Sequence, residues 1–298
     1  MDKIFSKLFP KDKDQGKKSN PTEGHPRIIN EQTKPLGLKI NPPQMIVGSA
    51  QSVGKVRTHN EDSLFTLSSV FSDGEIQLPF GIYIIADGMG GHQYGEVASR
   101  CAVKTVADYL MAKLFSQIMG LQNESTGESL IEILENAVER AQENVVQHAP
   151  GGGTTLSIAV IIGSQVTIAH VGDSRVYIRQ ADGTLSSVTQ DHSFVSRLIE
   201  QGHISKEEAE IHPQRNVLYR AIGQHEPFQP DIQTFPFPEN GELLICSDGL
   251  WGVAGEDNIK QILNQARDVT TTCHLLTEAA NIAGGSDNIS VILVKMLG

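Results

Sequence analysis

Cysteine is scarce in this chain. Only Cys101, Cys246 and Cys273 occur, an odd number, far apart and in no Cys-x-x-Cys pairing, which argues against a disulfide framework or a thiolate metal site. Each lies in apolar sequence, the setting of an inert packing cysteine. Long apolar runs are missing too. The longest, Leu156 to Ile162 and Gly81 to Ala86, fall far short of the roughly 18 residues that cross a bilayer. Met1 to Pro10 lacks the continuous apolar stretch and small-residue cleavage site of a signal peptide. The expected setting is therefore the cytoplasm, with no membrane span. There is also no Gly-rich nucleotide loop, which removes the main sequence support for a phosphoesterase acting on nucleotides.

Positive charge is in short supply beyond the first 43 residues. The whole chain carries a formal −11, yet residues 1–43 hold nine Lys or Arg against five Asp or Glu, leaving −15 on the rest. Nucleic-acid binding relies on Lys and Arg to neutralise phosphates, so an acidic body speaks against it. The same charge suits a protein that concentrates divalent cations. Apolar residues make up 39% and charged residues 20%, the proportions of an ordinary globular protein. Residues 1–45, rich in Lys, Pro, Asn and Gly without periodicity, read as a flexible basic tail. Residues 46–298 read as one folded domain.

Within that domain, β-rich runs occur at Ile82 to Ala86, Leu156 to Ile162, Val166 to Val171, Leu243 to Cys246 and Ile289 to Val294,. Helical spacing of apolar residues predicts helices around Ala98 to Leu110 and Ile131 to Val145. The strands are not separated one by one by helices, so the order predicts a layered α+β fold rather than a doubly wound parallel sheet.

Aspartates recur where these strands end. The runs Ile84-Ile85-Ala86-Asp87-Gly88, Ala169-His170-Val171-Gly172-Asp173 and Ile245-Cys246-Ser247-Asp248-Gly249 share this form; Asp287 opens a strand, and Glu61-Asp62 precede another. Asp-Gly is a common turn dipeptide, and singly each would mark a turn. Repetition at four or five strand ends points instead to a shared centre. Two carboxylates about 4 Å apart repel by roughly 4 kcal/mol at an effective dielectric near 20. Such a cluster stays ionised only with cations, and all-oxygen donors select Mg²⁺ or Mn²⁺ over zinc.

Nine blocks in order then carry a resemblance. They are Gly54-Lys55-Val56-Arg57-Thr58-His59-Asn60-Glu61-Asp62, Ala86-Asp87-Gly88-Met89-Gly90-Gly91-His92, Gly153-Thr154-Thr155, Gly172-Asp173-Ser174-Arg175, Gln190-Asp191-His192-Ser193, His212-Pro213-Gln214-Arg215-Asn216-Val217, Arg220-Ala221-Ile222-Gly223, Ser247-Asp248-Gly249-Leu250-Trp251 and Gly285-Ser286-Asp287-Asn288-Ile289-Ser290. From about residue 46 onward the chain resembles the metal-dependent protein phosphatase 2C family in its bacterial form. The resemblance implies a four-layer αββα sandwich of two mainly antiparallel sheets flanked by helices, with a helical flap insertion. It implies two or three Mn²⁺ or Mg²⁺ ions in a cleft at one end. Asp87 would bridge two of them, with the Gly88 carbonyl on one and Asp248 and Asp287 completing the other. Asp62 or Glu61 would hold metal-bound water, Asp173 a weaker third ion, and Arg57 the phosphate. The implied activity is hydrolysis of phosphoserine and phosphothreonine in proteins by water, opposing a Ser/Thr kinase, in a monomer. A catalytically silent regulatory member would have lost the bridging Asp or the phosphate Arg; Asp87, Asp248, Asp287 and Arg57 are all present.

Two stretches refine this reading. Residues 192–220 look like the flap, with Ser205 and Glu208 spaced as a capping box, so ordered helices are expected there. Arg197, Arg215 and Arg220 stand open between phosphate contact and a structural role. Many eukaryotic members have His directly after the bridging Asp-Gly, a candidate general acid, where this chain has Met89. Methionine cannot donate a proton; His92 or a metal-bound water could replace it, with His92 open between that role and packing or hydrogen bonding. An acid role predicts that His92→Ala slows hydrolysis of a serine phosphate far more than that of an aryl phosphate with a good leaving group. Equal losses in the two assays would remove that role.

Overall fold

Two-residue alternation is the organising pattern of the strands. Along Leu156–Ile162, residues 156, 158, 160 and 162 join one apolar layer while Ala159 and Ile161 join another. That is the period of a strand buried on both faces. The computed structural model describes residues 40–73, 75–90, 94–118, 127–224, 228–265 and 268–298. In chain order it contains β1 (Gln44–Ser52), β2 (Asp62–Ser72), β3 (Gln77–Met89), α1 (Tyr94–Ile118), α2 (Leu130–His148), β4 (Gly153–Thr154), β5 (Leu156–Ile162), β6 (Gln165–Val171), β7 (Arg175–Arg179) and β8 (Leu185–Ser187). Then come α3 (Phe194–Glu200), α4 (Lys206–Glu210), β9 (Asp231–Pro236), β10 (Glu242–Cys246), α5 (Asp248–Ala254), α6 (Glu256–Gln265), α7 (Val269–Ile282) and β11 (Ile289–Leu297).

The strands form two sheets. Sheet I runs β1-β11-β10-β7-β8 and sheet II runs β2-β3-β5-β6-β9, with β4 paired to β3. Every ladder is antiparallel. Three apolar layers follow from the alternation. Tyr83, Ile85, Ala159, Ile161, Val176, Ile245 and Ile292 fill the space between the sheets. Ile82, Ile84 and Ala86 of β3 pack outward against α1 and α2, while Leu244, Val291 and Leu293 pack outward against α5, α6 and α7. The result is helices, sheet, sheet, helices, the layering the family resemblance implies.

Local signals explain the helices. Ser129 accepts from the Glu132 N–H and Glu132 reaches back to the Ser129 N–H, closing a capping box that starts α2,. The predicted box at Ser205 and Glu208 is present at the start of α4, so the flap between β8 and β9 is helical as expected. The short strands β7, β8 and β9 escaped the sequence reading. β9 is mostly exposed and lacks a clean alternation. β1 begins at Gln44; the tail expected over residues 1–45 lies, up to residue 39, outside the described residues. Cys246 and Cys273 are buried, and burial pushes both thiols up, consistent with inert packing. Among the described residues, no helix is long and apolar enough to cross a membrane.

The layer between the sheets predicts a stability cost. Ile85 is fully buried there, so Ile85→Ala loses its packing and leaves a cavity, about 2–5 kcal/mol. Urea unfolding, read as a lower midpoint at unchanged slope, measures it.

Candidate active site

The antiparallel ladder between β2 and β3 places two acids face to face. Asp62 opens β2 and pairs in register with Asp87 near the end of β3, an arrangement that is destabilising for like charges. Asp87 is fixed by its backbone: its N–H donates to Thr155 Oγ1 at 2.9 Å, and its carbonyl accepts from Thr154 Oγ1 and the Thr155 N–H, both at 2.9 Å. The Gly88 N–H donates to the Glu61 carbonyl at 3.2 Å. Sheet I supplies Asp248, which the structure sets in the first turn of α5 rather than on the strand end. It also supplies Asp287, two residues before β11. Asp173 sits on the short turn from β6 to β7. Both sheets thus bring carboxylates to one end of the sandwich.

Hydrogen bonds lock these ends together. Ser247 Oγ donates to Asp62 Oδ2 at 2.9 Å and accepts from the Ser290 N–H at 2.9 Å, joining β2, β10 and β11. Buried Asn288 serves the 53–61 loop with its whole amide: Nδ2 donates to the carbonyls of Val53 at 2.9 Å and His59 at 3.0 Å, and Oδ1 accepts from the Glu61 N–H at 2.8 Å. Gly54 has φ +81 and lies against the Asp287 carbonyl, a conformation and a space that suit only glycine,. This loop presents Arg57, whose Nη2 donates to Asp287 Oδ2 at 2.8 Å while its side chain stays 48% exposed. Glu61 is buried and its Oε1 meets His59 Nε2 at 3.1 Å.

The electrostatics show what the site lacks from protein alone. Burial raises the Asp62 carboxyl to about 7, hydrogen bonds from Ser290 and Ser247 oppose the rise, and Asp248 and Asp287 add to it. Burial, then Asp287, lifts Asp248 to about 6. Asp87 and Asp173 are held well above the usual carboxylate range by burial first and neighbouring acids second, Asp248 acting on both. Among the described residues, buried Asp62 Oδ1 and Asp248 Oδ1 have no hydrogen-bond partner, a costly condition. Among the described residues, no three His, Cys, Asp or Glu side chains form a ready-made metal cage. The case for cations rests instead on chemistry: crowded oxygen donors, two of them orphaned, fit hard divalent ions such as Mg²⁺ or Mn²⁺.

A second network joins Asp173 to the flap. The Gly172 N–H donates to His192 Nδ1 at 3.0 Å, so Nε2 carries the ring proton and donates to Asp231 Oδ2 at 3.0 Å. Asp231 also accepts from Arg220 Nη1 at 2.7 Å. Arg220 is therefore engaged structurally, and Arg197 lies over the Tyr219 ring; Arg215 is exposed. Beneath them, His170 is fully buried: Nε2 faces the carbonyls of Gly172 at 3.0 Å and Gln190 at 3.2 Å, so Nδ1 accepts from Ser157 Oγ at 2.9 Å. His92 lies outside the described residues. Asn288, Ser247, His192 and Trp251 sit inside the sequence blocks but received no role there, because their partners are distant in sequence.

A family model described as protein phosphatase 2C matches residues 53–284. The serine/threonine phosphatase stp of Listeria monocytogenes is 38% identical over 81% of this chain and 92% of its own length. The protein phosphatase PhpP of Streptococcus pneumoniae is 34% identical over 85% of this chain and 98% of its own. Among solved structures, the Mycobacterium tuberculosis serine/threonine phosphatase PstP is similar with a TM-score of 0.66 at 32% identity, covering 85% of this chain and 98% of that one. A structure of the PstP catalytic domain in complex with two manganese ions is similar with a TM-score of 0.67 at 29% identity, covering 86% and 100%. The chain belongs to the protein phosphatase 2C family.

His170 gives this region a pH signature. Burial, followed by repulsion from His192, lowers its pKa from 6.5 to about 3. Between those values the unfolded chain binds a proton that the folded one does not, so stability falls as pH drops below 6.5, by roughly 1.4 kcal/mol per pH unit at most. Wild type and His170→Gln, unfolded in urea at pH 7 and pH 5, are expected to differ in slope by about 2 kcal/mol over that interval. The wild type should show the extra loss.

Proposed function

We propose that this chain hydrolyses phosphoserine and phosphothreonine monoesters in proteins, using two or three Mn²⁺ or Mg²⁺ ions held at the carboxylate end of the sandwich. The observation that carries the reading is the set of mutually facing aspartates from two sheets, with orphaned oxygens on Asp62 and Asp248 and the half-exposed Arg57 beside them. The cations would be held by Asp87, the Gly88 carbonyl, Asp248 and Asp287, with Asp62 or Glu61 in support and Asp173 at the third position. Bound there, they would supply positive charge opposite the phosphoryl oxygens and bring the pKa of a coordinated water towards neutrality.

The chain's own residues do the rest. Among the described residues, Arg57 is tethered through Nη2 alone, so it can turn its remaining N–H groups to a phosphate in the forked geometry that guanidinium shares with phosphate oxygens. Asp287 orients Arg57 and is itself steadied by the Asn288 N–H at 2.8 Å. The backbone bonds at Thr154 and Thr155 keep Asp87 from following its charge outward. Fixed placement of this kind lowers the reorganisation needed during the reaction. Met89 cannot serve as a general acid, which leaves that part to His92 or to a cation-coordinated water. The catalytic unit takes in β1 from Gln44 onward, with the residues ahead of it as a basic tail, and the chain works as a cytoplasmic monomer on phosphoproteins made by a Ser/Thr kinase. One relative named as a serine/threonine phosphatase and another named as a protein phosphatase support the substrate class.

Phosphate release from a phosphothreonine peptide tests the reading. Wild type with Mn²⁺ or Mg²⁺ is expected to be active, chelator to abolish release, and Asp248→Asn to fall to background. In cation-free buffer Asp248→Asn should melt no lower than wild type, because it removes one of the repelling charges. A folded, cation-loaded wild type that releases nothing from several phosphopeptides would overturn the proposal in favour of a binding module.

A further inference from the structure

Asp173 and Asp248 belong to different elements, the β6–β7 turn and helix α5, so something must set their separation. One side chain spans the gap. Trp251 lies three residues after Asp248 on α5, and its indole Nε1 donates to the Asp173 carbonyl at 3.0 Å. Its ring is covered by the Arg175 guanidinium, 3.5 Å from the ring centroid. Arg175 in turn is fully committed. Nε and Nη2 hold the two oxygens of Asp191 at 2.9 and 2.8 Å, and Nη1 reaches Tyr177 OH at 3.1 Å and Glu256 Oε1 at 2.9 Å. With four hydrogen bonds made inside the protein, it is held as a clamp on the indole. Tryptophan offers the best of the aromatic faces to such a cation.

The opposite side of α5 is closed as well. A Cβ added at Gly249 would collide with the Asn288 carbonyl, so the start of the helix is pressed against the segment carrying Asp287. Helix α5 is thus wedged between Asp287-Asn288 and the Asp173 turn, and the Trp251 bond is its contact with the latter. We propose that Trp251 is a positioning residue that holds Asp173 in register with Asp248, so that a divalent cation taken up at Asp173 is sensed by the indole. This rests on the cation reading above. Residues that orient ligands without touching the ion commonly change affinity by about 10–100-fold when lost. Trp251 is also the chain's single tryptophan, so its emission reports this one place.

The experiment titrates the full-length protein with Mg²⁺, following tryptophan emission and calorimetric heat in parallel, for wild type, Asp173→Asn and Trp251→Phe. Mg²⁺ is preferred because it does not itself quench. Wild-type emission is expected to change along the weakest binding step and Asp173→Asn to lose that change. Trp251→Phe, which keeps an aromatic ring but no N–H, is expected to weaken the same calorimetric step by about tenfold and the tighter steps by less than twofold. A merely structural tryptophan would shift the melting temperature and weaken all steps alike, which would overturn the inference. Calorimetric binding with unresponsive emission, or an emission change that survives Asp173→Asn, would overturn it too, without need of the Trp251 variant. Absence of heat with both Mg²⁺ and Mn²⁺ would instead sink the cation reading itself, and this inference with it.

Discussion

Repulsion between carboxylates is the constraint on which the rest of this structure depends. Asp62 and Asp87 are held opposite each other by a ladder eleven pairs long, and Asp248 and Asp287 add their charge from the other sheet. Left to itself, such a cluster would splay or take up protons. The two sheets prevent the first: each acid lies at or beside the end of a sheet strand, Asp62 and Asp287 at the start of β2 and just ahead of β11, and Asp87 and Asp248 at the end of β3 and just past β10, so moving it means disturbing the strands that pack between the sheets. The raised carboxyl pKa values record the second. Stability has been set aside at one end of the fold, and bound cations are what would return it.

The supporting residues make the same point from the neutral side. Ser247 and Asn288 are uncharged, buried and fully engaged. They connect strands whose order in the chain is remote, and each supplies a partner to backbone groups near the sheet ends,. Together with the Gly54 turn they give the Arg57 loop a fixed base, while leaving the guanidinium itself in solvent. Rigid support under an exposed reactive group is the arrangement a recurrent chemical task needs.

Much of this was legible in the sequence. The buried strands declared themselves through unbroken apolar runs, α2 through its apolar stripe, and the flap helix through Ser205 and Glu208. The recurrence of aspartate at strand ends pointed to a shared centre before any fold was known, and the nine ordered blocks supplied the family. The edge strands β8 and β9 were not legible, because three to six half-exposed residues carry no distinctive period. Nor were Trp251, His192 and Asn288, whose importance comes from partners up to 235 positions away. Local pattern reports what a segment will become; it is silent on which distant segment it will meet.

The flap leaves the sandwich from β8 and returns at β9. These are the outermost strands of sheets I and II respectively, so nothing beyond them must stay in register. Up to the bridge that Ile222 makes with Thr154, its length and sequence can therefore change without shifting an interior ladder, much as a handle can be refitted without recutting the blade. Its root is different: His192 is hydrogen-bonded to the backbone beside Asp173 and through Asp231 to β9. The protein thus joins an outer segment hung between two sheet edges to a root that is hydrogen-bonded beside Asp173.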